Sequence, residues 1–163
     1  MPEPERQVVE QRGLWFEEFD INARYVHAPG RTVTEADNVI FTTLTMNGQP
    51  LHLDAHWSAD QPFGQRLVNS FFTLSTVVGL SVGHLMLGTT VANLGFRDIQ
   101  FPHPVYHGDT LYSETVVVEK RPSKSRPEAG IVTLEHTGRN QDGVIVVVVN
   151  HSSMVLLRPV GSK

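Results

Sequence analysis

The segment between Leu67 and Met86 is apolar almost all the way round a helix. Apolar residues recur every three to four positions on one side of this helix, for example at Phe71 and Val78. Leu74 is an apolar residue on the opposite side. A helix that is apolar on nearly every side is expected to be buried. Its length would also suit a membrane span. The serine, threonine, asparagine and histidine residues within it favour a buried helix of a soluble domain instead.

Runs of β-branched residues follow this helix. They predict strands near residues 89–101, 109–121, 130–140 and 144–157. The run at 144–149 is continuous rather than alternating, which is typical of a strand covered on both faces. We therefore predict an α+β fold in which a curved antiparallel sheet wraps around one long buried helix. The second covered face suggests a partner chain, so we expect a homo-oligomer.

A shorter helix and an irregular segment are predicted ahead of the long helix. Thr34, with an acidic residue three positions later, is typical of an N-cap and predicts a helix as far as about Leu44. Gly48 and Pro50 then interrupt regular structure. Residues 51–53 are accordingly expected to lie in a loop.

Three local signals complete the predicted organisation. Asp54 is expected to cap a short helical turn that reaches Trp57. Residues 140–143, Asn-Gln-Asp-Gly, stand between two predicted strands and are typical of a hairpin turn. Residues 1–13 begin with a charged stretch that holds two prolines, and we expect them to form a flexible N-terminal arm. Residues 14–160 are expected to form a single domain.

Composition excludes several classes of protein. A chain of 163 residues suits one domain with its own core. It contains no cysteine, which excludes disulfides, thiolate zinc sites and a cysteine nucleophile, and which fits a reducing compartment. The formal net charge of −4 gives no general attraction to nucleic acid or to an anionic membrane. The first residues have no apolar core of a signal peptide, so we expect a cytoplasmic protein.

Three blocks of the sequence resemble one family, in that family's order. They are residues 47–54 (Asn-Gly-Gln-Pro-Leu-His-Leu-Asp), residues 63–70 (Phe-Gly-Gln-Arg-Leu-Val-Asn-Ser) and residues 101–111 (Phe-Pro-His-Pro-Val-Tyr-His-Gly-Asp-Thr-Leu). Together they resemble the MaoC-like dehydratases and (R)-specific enoyl-CoA hydratases. The resemblance implies a hot-dog fold and an acyl-CoA substrate. It also implies a site built between two hot-dog units, hence at least a homodimer, and no cofactor, since coenzyme A is part of the substrate.

The catalytic loop departs from the pattern of that family. The family's histidine is matched by His52, but its aspartate five positions earlier is replaced by Asn47, and an asparagine two positions after that by Gln49. The family's His-Gly pair at the helix entrance is replaced by Asn69 and Ser70. These departures resemble a subgroup of hydratases that act on branched dicarboxylic acyl-CoAs, such as mesaconyl-CoA or itaconyl-CoA.

The resemblance implies a catalytic pair at the loop. An imidazole suits the removal of a proton from water near neutral pH, so His52 is the predicted base. The alternative is a packed histidine bonded to the backbone. Asn47 cannot act as a base, but its amide can hold the attacking water. The alternative for Asn47 is a turn residue beside Gly48.

Further residues are predicted to bind the substrate. The helix entrance at Asn69 and Ser70 would turn free backbone N–H groups toward the thioester oxygen, although either residue could be an ordinary N-cap. The family blocks also imply that three flanking residues contact the substrate: Gln49, Phe63 and Gly64.

The basic residues Arg121, Lys124 and Arg126 are candidate contacts for the phosphates of coenzyme A, with Lys124 and Arg126 as the specific choice. The alternative is a solvated hairpin tip. No histidine spacing here indicates a metal site, so none is predicted.

Three functions remain open at this point. The first is a hydratase or dehydratase of a short enoyl-CoA. The second is a hot-dog thioesterase, which would release free coenzyme A. The third is a non-catalytic acyl-CoA-binding subunit, since the family's aspartate is missing at position 47.

Overall fold

The computed structural model describes residues 6–160, which form one antiparallel sheet packed against helices. A single 3-10 turn, Phe16–Glu18, comes first. The strands are β1 (Arg24–Thr32), β2 (Thr90–Gln100), β3 (Thr110–Pro122), β4 (Ala129–Arg139) and β5 (Ile145–Leu156), and the helices are α1 (Glu35–Leu44), α2 (Pro50–Leu53), α3 (Ala55–Ala59) and α4 (Ser70–Leu85).

The five strands lie in the order β1-β3-β4-β5-β2, and every neighbouring pair is antiparallel. Strands β3, β4 and β5 follow one another along the chain and form the centre of the sheet, while β1 and β2 are its edges. The long helix α4 packs across one face of this sheet. The predicted α+β architecture with a central helix is therefore confirmed.

Helix α4 buries one face only. Leu74, Val77 and Leu85 are buried against the sheet, whereas the side chains of Phe71 and Val82 are 62% and 40% exposed. The prediction that α4 is buried on all sides is therefore wrong for a single chain. The covered face is close-packed: a Cβ placed on Gly138 of β4 would lie 2.5 Å from a methyl group of Val77.

The four predicted strands are confirmed to within a few residues at their ends. Strand β1 was not predicted, because Pro29 and Gly30 interrupt its pattern. The pairing of β1 with β3 shifts register between His27 and Arg31, so the proline lies in a bulge of an edge strand. A bulged edge is where a strand tolerates proline.

The short helices follow their predicted caps. The Thr34 side chain accepts a hydrogen bond from the Asp37 backbone, and the Asp37 carboxylate accepts one back from the Thr34 backbone. Asp54 likewise accepts from the Trp57 backbone and begins α3. The loop predicted at residues 51–53 is wrong, because Pro50 starts helix α2 there. Proline suits a first helical position, where its missing N–H has no intrahelical partner to lose.

The predicted hairpin turn at residues 140–143 is confirmed. The Gly143 N–H donates to the Asn140 carbonyl, and Gly143 has a φ of 77°, a value that glycine adopts readily. The Asn140 side chain also accepts from the backbone of Val144.

The N-terminal segment is hydrogen-bonded to the rest of the domain at residues 13 and 14. Residues 6–12 have no helix or strand and are exposed, and residues 1–5 lie outside the described part. Gly13 donates a backbone hydrogen bond to Leu87, just beyond α4, and Leu14 donates one to Leu85, the last residue of α4. The flexibility of the arm and the domain limit at residue 14 stay predictions. In residues 6–160 no helix is long and apolar enough to cross a membrane.

A chain of hydrogen bonds between polar side chains crosses the sheet beneath α4; we call it the histidine chain. It runs from His27 through Thr115 and His136 to His151 and Ser153, on four adjacent strands. The successive donor–acceptor distances are 2.8, 2.8, 3.2 and 2.9 Å. All five side chains are buried. These hydrogen bonds offset much of the cost of burying such groups, although the buried Nδ1 of His27 has no partner among the described residues.

Burial makes these imidazoles resist protonation. It lowers the pKa of His27 to about 4, with a further contribution from neighbouring His84, and it lowers the pKa of His151 to about 4. The pKa of His136 falls to about 3, first through burial and then through His151 and His27. An unfolded histidine titrates near 6.5. Between those values the unfolded chain takes up protons that the folded chain does not.

We predict that the protein loses stability as the pH falls from 7 to 5. Because the unfolded state binds more protons in this window, the free energy of unfolding falls by up to about 1.4 kcal/mol per pH unit for each buried histidine. We expect a loss of about 2 kcal/mol or more over the window. Urea unfolding at pH 7, 6 and 5, followed by circular dichroism, measures it.

The acidic groups do not interfere with this test. Arg12 and Arg31 hold the pKa values of Glu18 and Asp37 near 2, so those carboxylates lose their contribution only at lower pH. His151→Gln should flatten the dependence, while the exposed His56→Gln should leave it unchanged. A stability that stays constant down to pH 5 would contradict the prediction.

Candidate active site

A cavity of about 380 Å³ opens at the N-terminal end of α4. Helix α2 and the segment before α4 form one wall, and residues 101–105, which follow β2, form the other. Most of its surface is apolar. The lining residues are Leu51, His52, Phe63, Leu67, Val68, Ser70, Thr73, Phe101, Pro102, His103, Pro104, Val105 and Val146. No lysine, arginine, aspartate or glutamate belongs to this described lining.

The orientation of His52 is set by the backbone. Its Nδ1 lies 2.9 Å from the carbonyl oxygen of Leu67. A carbonyl oxygen can only accept, so Nδ1 carries the hydrogen and Nε2 has the lone pair. Among the described residues, no group is bonded to this Nε2. An imidazole held in this tautomer can take a proton from a molecule in the cavity.

The carboxamide of Asn38 holds the wall around His52 together. Its Nδ2 lies 3.1 Å from the carbonyl of His52 and 3.2 Å from that of Leu67. Its Oδ1 accepts from the Asn69 backbone N–H at 2.8 Å. Asn38 has no exposed surface. One side chain of α1 thus joins α2 and the start of α4.

His107 is the third acceptor of that carboxamide, at 3.0 Å from the Asn38 Nδ2. Because Nδ2 donates, the Nε2 of His107 has the lone pair and the ring is neutral. Burial lowers the pKa of His107, and the positive charge of Arg66 lowers it further. Arg66 itself pairs with Glu35 on α1. A neutral His107 is therefore part of the support beneath the site.

The first turn of α4 has free backbone donors. Asn69 is the N-cap, and its Oδ1 accepts from the Phe71 backbone at 3.0 Å. The backbone N–H groups of Ser70 and Phe72 have no protein partner among residues 6–160. Ser70 lines the cavity. These donors, at the positive end of a 16-residue helix, can stabilise a developing negative charge on a ligand oxygen.

The structure brings some of the predicted site residues to the cavity. His52, Phe63 and Ser70 line it. Asn69 does not line the cavity. It is the N-cap of α4, which is the alternative role that the sequence suggested for it. Gly64, with a φ of 68°, lies beside Phe63 but does not line the cavity.

Asn47 and Gln49 do not line the cavity of this single chain. The Oδ1 of Asn47 accepts from the Gln49 backbone at 3.2 Å, which is the turn interaction expected beside Gly48. Gln49 is exposed. The water-holding role of Asn47 and the substrate contact of Gln49 stay predictions.

Lys124 and Arg126 lie at the far end of the sheet from this cavity. They occupy the turn between β3 and β4, where Ala129 pairs with Leu156 at the end of β5. The cavity includes Val146 at the start of β5, so roughly 30 Å of strand separates the two places. Arg126 forms an exposed ion pair with Glu128. Within one chain, the basic turn and the cavity are therefore separate.

Three contributors were missed by the sequence interpretation: Asn38, Thr73 and His103. Thr73 and His103 line the cavity, and Asn38 supports it. One signal was available, because Asn38 and Thr42 are the buried residues of α1 and lie one turn apart. Two polar residues on the buried face of a helix indicate a buried polar network.

Comparison with known proteins identifies the family. Residues 18–140 match the family described as a MaoC like domain. The chain belongs to this family. A mesaconyl-CoA hydratase from Haloarcula marismortui is 30% identical over 152 residues, which is 93% of this chain and 42% of that protein. The chain thus spans about two fifths of the length of that curated relative.

Solved structures agree on the fold. A MaoC domain protein dehydratase from Chloroflexus aurantiacus is 27% identical, with a TM-score of 0.87 over 96% of this chain and 44% of that one. A Mycobacterium tuberculosis protein described as a double hot-dog fold has a TM-score of 0.79 at 24% identity, over 93% of this chain and 46% of that one. The MaoC-like chain therefore has the hot-dog fold, and it corresponds to about half of these two structures.

We predict that Asn38→Ala destabilises the MaoC-like domain by about 2–4 kcal/mol, because the Asn69 N–H and two carbonyls lose a buried partner. Urea unfolding measures the change. Thr43→Ala, on the exposed side of the same helix, should change stability by less than about 1 kcal/mol. Equal midpoints for the two variants would contradict the role given to Asn38.

Proposed function

We propose that this MaoC-like protein adds water to the double bond of a short enoyl-CoA, or removes it in the reverse direction. The observation that carries the proposal is the free Nε2 of His52 in an apolar cavity that also holds the first turn of α4. A base and a group of anion-stabilising donors are the two requirements of this reaction.

The proposed hydration uses His52 twice. Nε2 takes a proton from water while the water oxygen bonds to the β-carbon. The electron pair of the double bond moves to the thioester oxygen, which the free N–H groups at Ser70 and Phe72 stabilise. The enolate then collapses, and the imidazolium returns the proton to the α-carbon. No carboxylate belongs to the described lining, so one imidazole performs both proton transfers in this scheme.

The proposed acyl group is short and dicarboxylic, of the mesaconyl-CoA or itaconyl-CoA type. The relative named a mesaconyl-CoA hydratase supports this choice, as do Asn47 and Gln49 in the catalytic loop. A cavity of about 380 Å³ suits a small acyl group. We propose no cofactor beyond the coenzyme A that the substrate carries, and a cytoplasmic location, which the absence of cysteine fits.

We further propose that two copies of the chain form the working unit. Edge strand β2 is exposed along nearly its whole length, and Leu94, Phe96 and Ile99 are at least 38% exposed on it. The exposed face of α4 adds Phe71 and Val82. A second copy would cover these surfaces and would supply the second half found in the double hot-dog structure. The cavity wall at residues 101–105 continues directly from β2, so the partner would lie beside the site.

We expect His52→Ala to lower kcat for hydration by about a hundredfold to ten-thousandfold, because a positioned base is lost. Loss of enoyl absorbance with crotonyl-CoA, mesaconyl-CoA and itaconyl-CoA, followed by product masses, measures it. His56→Gln, an exposed histidine on α3, is the matched control and should keep full activity.

The same assay separates the other functions. Release of free coenzyme A without gain of water would identify a thioesterase. Binding of these substrates without turnover by the unaltered protein would identify a binding subunit, as the missing carboxylate at position 47 would allow.

We predict that Leu94→Asp shifts the protein from dimer to monomer, because two like charges would meet at the paired edge. Light scattering after size exclusion measures the mass. Val118→Asp, at a side chain 50% exposed on an inner strand, should leave the dimer intact. A monomeric mass for the unaltered protein would refute the assembly.

A further inference from the structure

A second histidine shares the cavity with His52. His103 follows β2 in the segment formed by residues 101–105, whereas His52 belongs to α2. Both side chains line the same space. The proposed reaction uses His52 alone and leaves His103 without a role.

His103, like His52, has its Nδ1 hydrogen-bonded to a backbone carbonyl. Its Nδ1 lies 3.0 Å from the carbonyl oxygen of Ile145, at the start of β5. Nδ1 therefore donates, and Nε2 is left for another partner. The described chain offers it none. Once protonated, such a ring keeps its bond to the carbonyl and offers a second N–H, with positive charge, to an anion.

The lining contains no other group that could receive an anion as a charged partner. The nearby cation Arg66 pairs with Glu35, and Arg139 pairs with Glu114. Neither arginine lines the cavity. His52 must stay neutral to act as the base. His103 is exposed at the solvent side of the cavity, where a carboxylate keeps part of its hydration and a cationic partner adds to its binding.

We infer that His103 recognises a second carboxylate on the acyl chain, through an ion-paired hydrogen bond from its protonated Nε2. The inference rests on the proposed hydratase function and deepens it. It assigns the discrimination between dicarboxylic and monocarboxylic acyl groups to one side chain that shares the cavity with the proposed base. His103 is accordingly a specificity residue and takes no part in proton transfer.

The test compares a substrate that has a second carboxylate on its acyl chain with one that has none. His103→Gln keeps the size and polarity of the side chain but removes its charge. With mesaconyl-CoA we expect kcat/KM to fall tenfold or more, mainly through a higher KM, since a hydrogen bond to a charged group is lost. With crotonyl-CoA, which has no second carboxylate, kcat/KM should stay within about twofold. His103→Arg should recover activity on mesaconyl-CoA relative to His103→Gln.

Three outcomes would overturn the inference. Equal losses on both substrates would assign His103 to structure or to the chemistry itself. An unchanged kcat/KM with mesaconyl-CoA would remove it from recognition. An unaltered protein that hydrates crotonyl-CoA but not mesaconyl-CoA or itaconyl-CoA would show that the cavity takes no second carboxylate. Failure of the unaltered protein on all three substrates would instead refute the hydratase function, so the two failures are distinguishable.

Discussion

The candidate active site depends on one buried carboxamide. Asn38 has no contact with solvent, so each of its polar atoms needs a partner inside the protein. Those partners come from the backbone of His52, of Leu67 and of Asn69, and from the ring of His107. Because the Asn69 N–H must donate to Oδ1, the orientation of the amide is fixed as well. Asn38 therefore joins the backbone of His52, the predicted base, to the helix entrance at Asn69.

Helix α4 connects this site to the rest of the fold. Its first turn supplies the free N–H groups, and its buried face rests on the sheet through Leu74 and Val77. The absence of a side chain at Gly138 lets helix and sheet approach closely. The depth of the helix in the sheet therefore decides where its N-terminus, with the free N–H groups, lies relative to His52. The same contacts thus set the packing of the domain and the geometry of the candidate site.

Local patterns in the sequence predicted most of the fold. Capping residues and β-branched runs act over a few positions, so the first turn of α1, the cap at Asp54 and the four strands could be found from neighbouring residues alone. Strand β1 was missed because its pairing with β3 outweighs the local effect of Pro29 and Gly30. Helix α2 was missed because the interpretation weighed Pro50 only as an interruption, although the same residue can begin a helix.

The site was predictable only in part, because its geometry depends on residues far apart in the chain. His52 was found through a family motif, but its carbonyl partner lies 15 positions away. The basic turn at Lys124 was predicted as a phosphate contact from its charge alone, and the strand register places it at the far end of the sheet from the cavity. His103 lies in the family block at residues 101–111, but the block gave no reason to single it out, because the strand before it reaches the cavity only through the sheet.

The histidine chain has a consequence for how the strands find their alignment. The valine run at residues 146–149 would look the same to its neighbours after a slip of one or two positions, so hydrophobic burial alone specifies its register weakly. A slip of β5 by one position along β4 would turn His151 to the opposite face of the sheet and leave the Nε2 of His136 without its partner. A slip of β1 by one position along β3 would likewise separate His27 from the Oγ1 of Thr115. These buried polar groups thus favour one alignment of four strands among several that the apolar residues would accept.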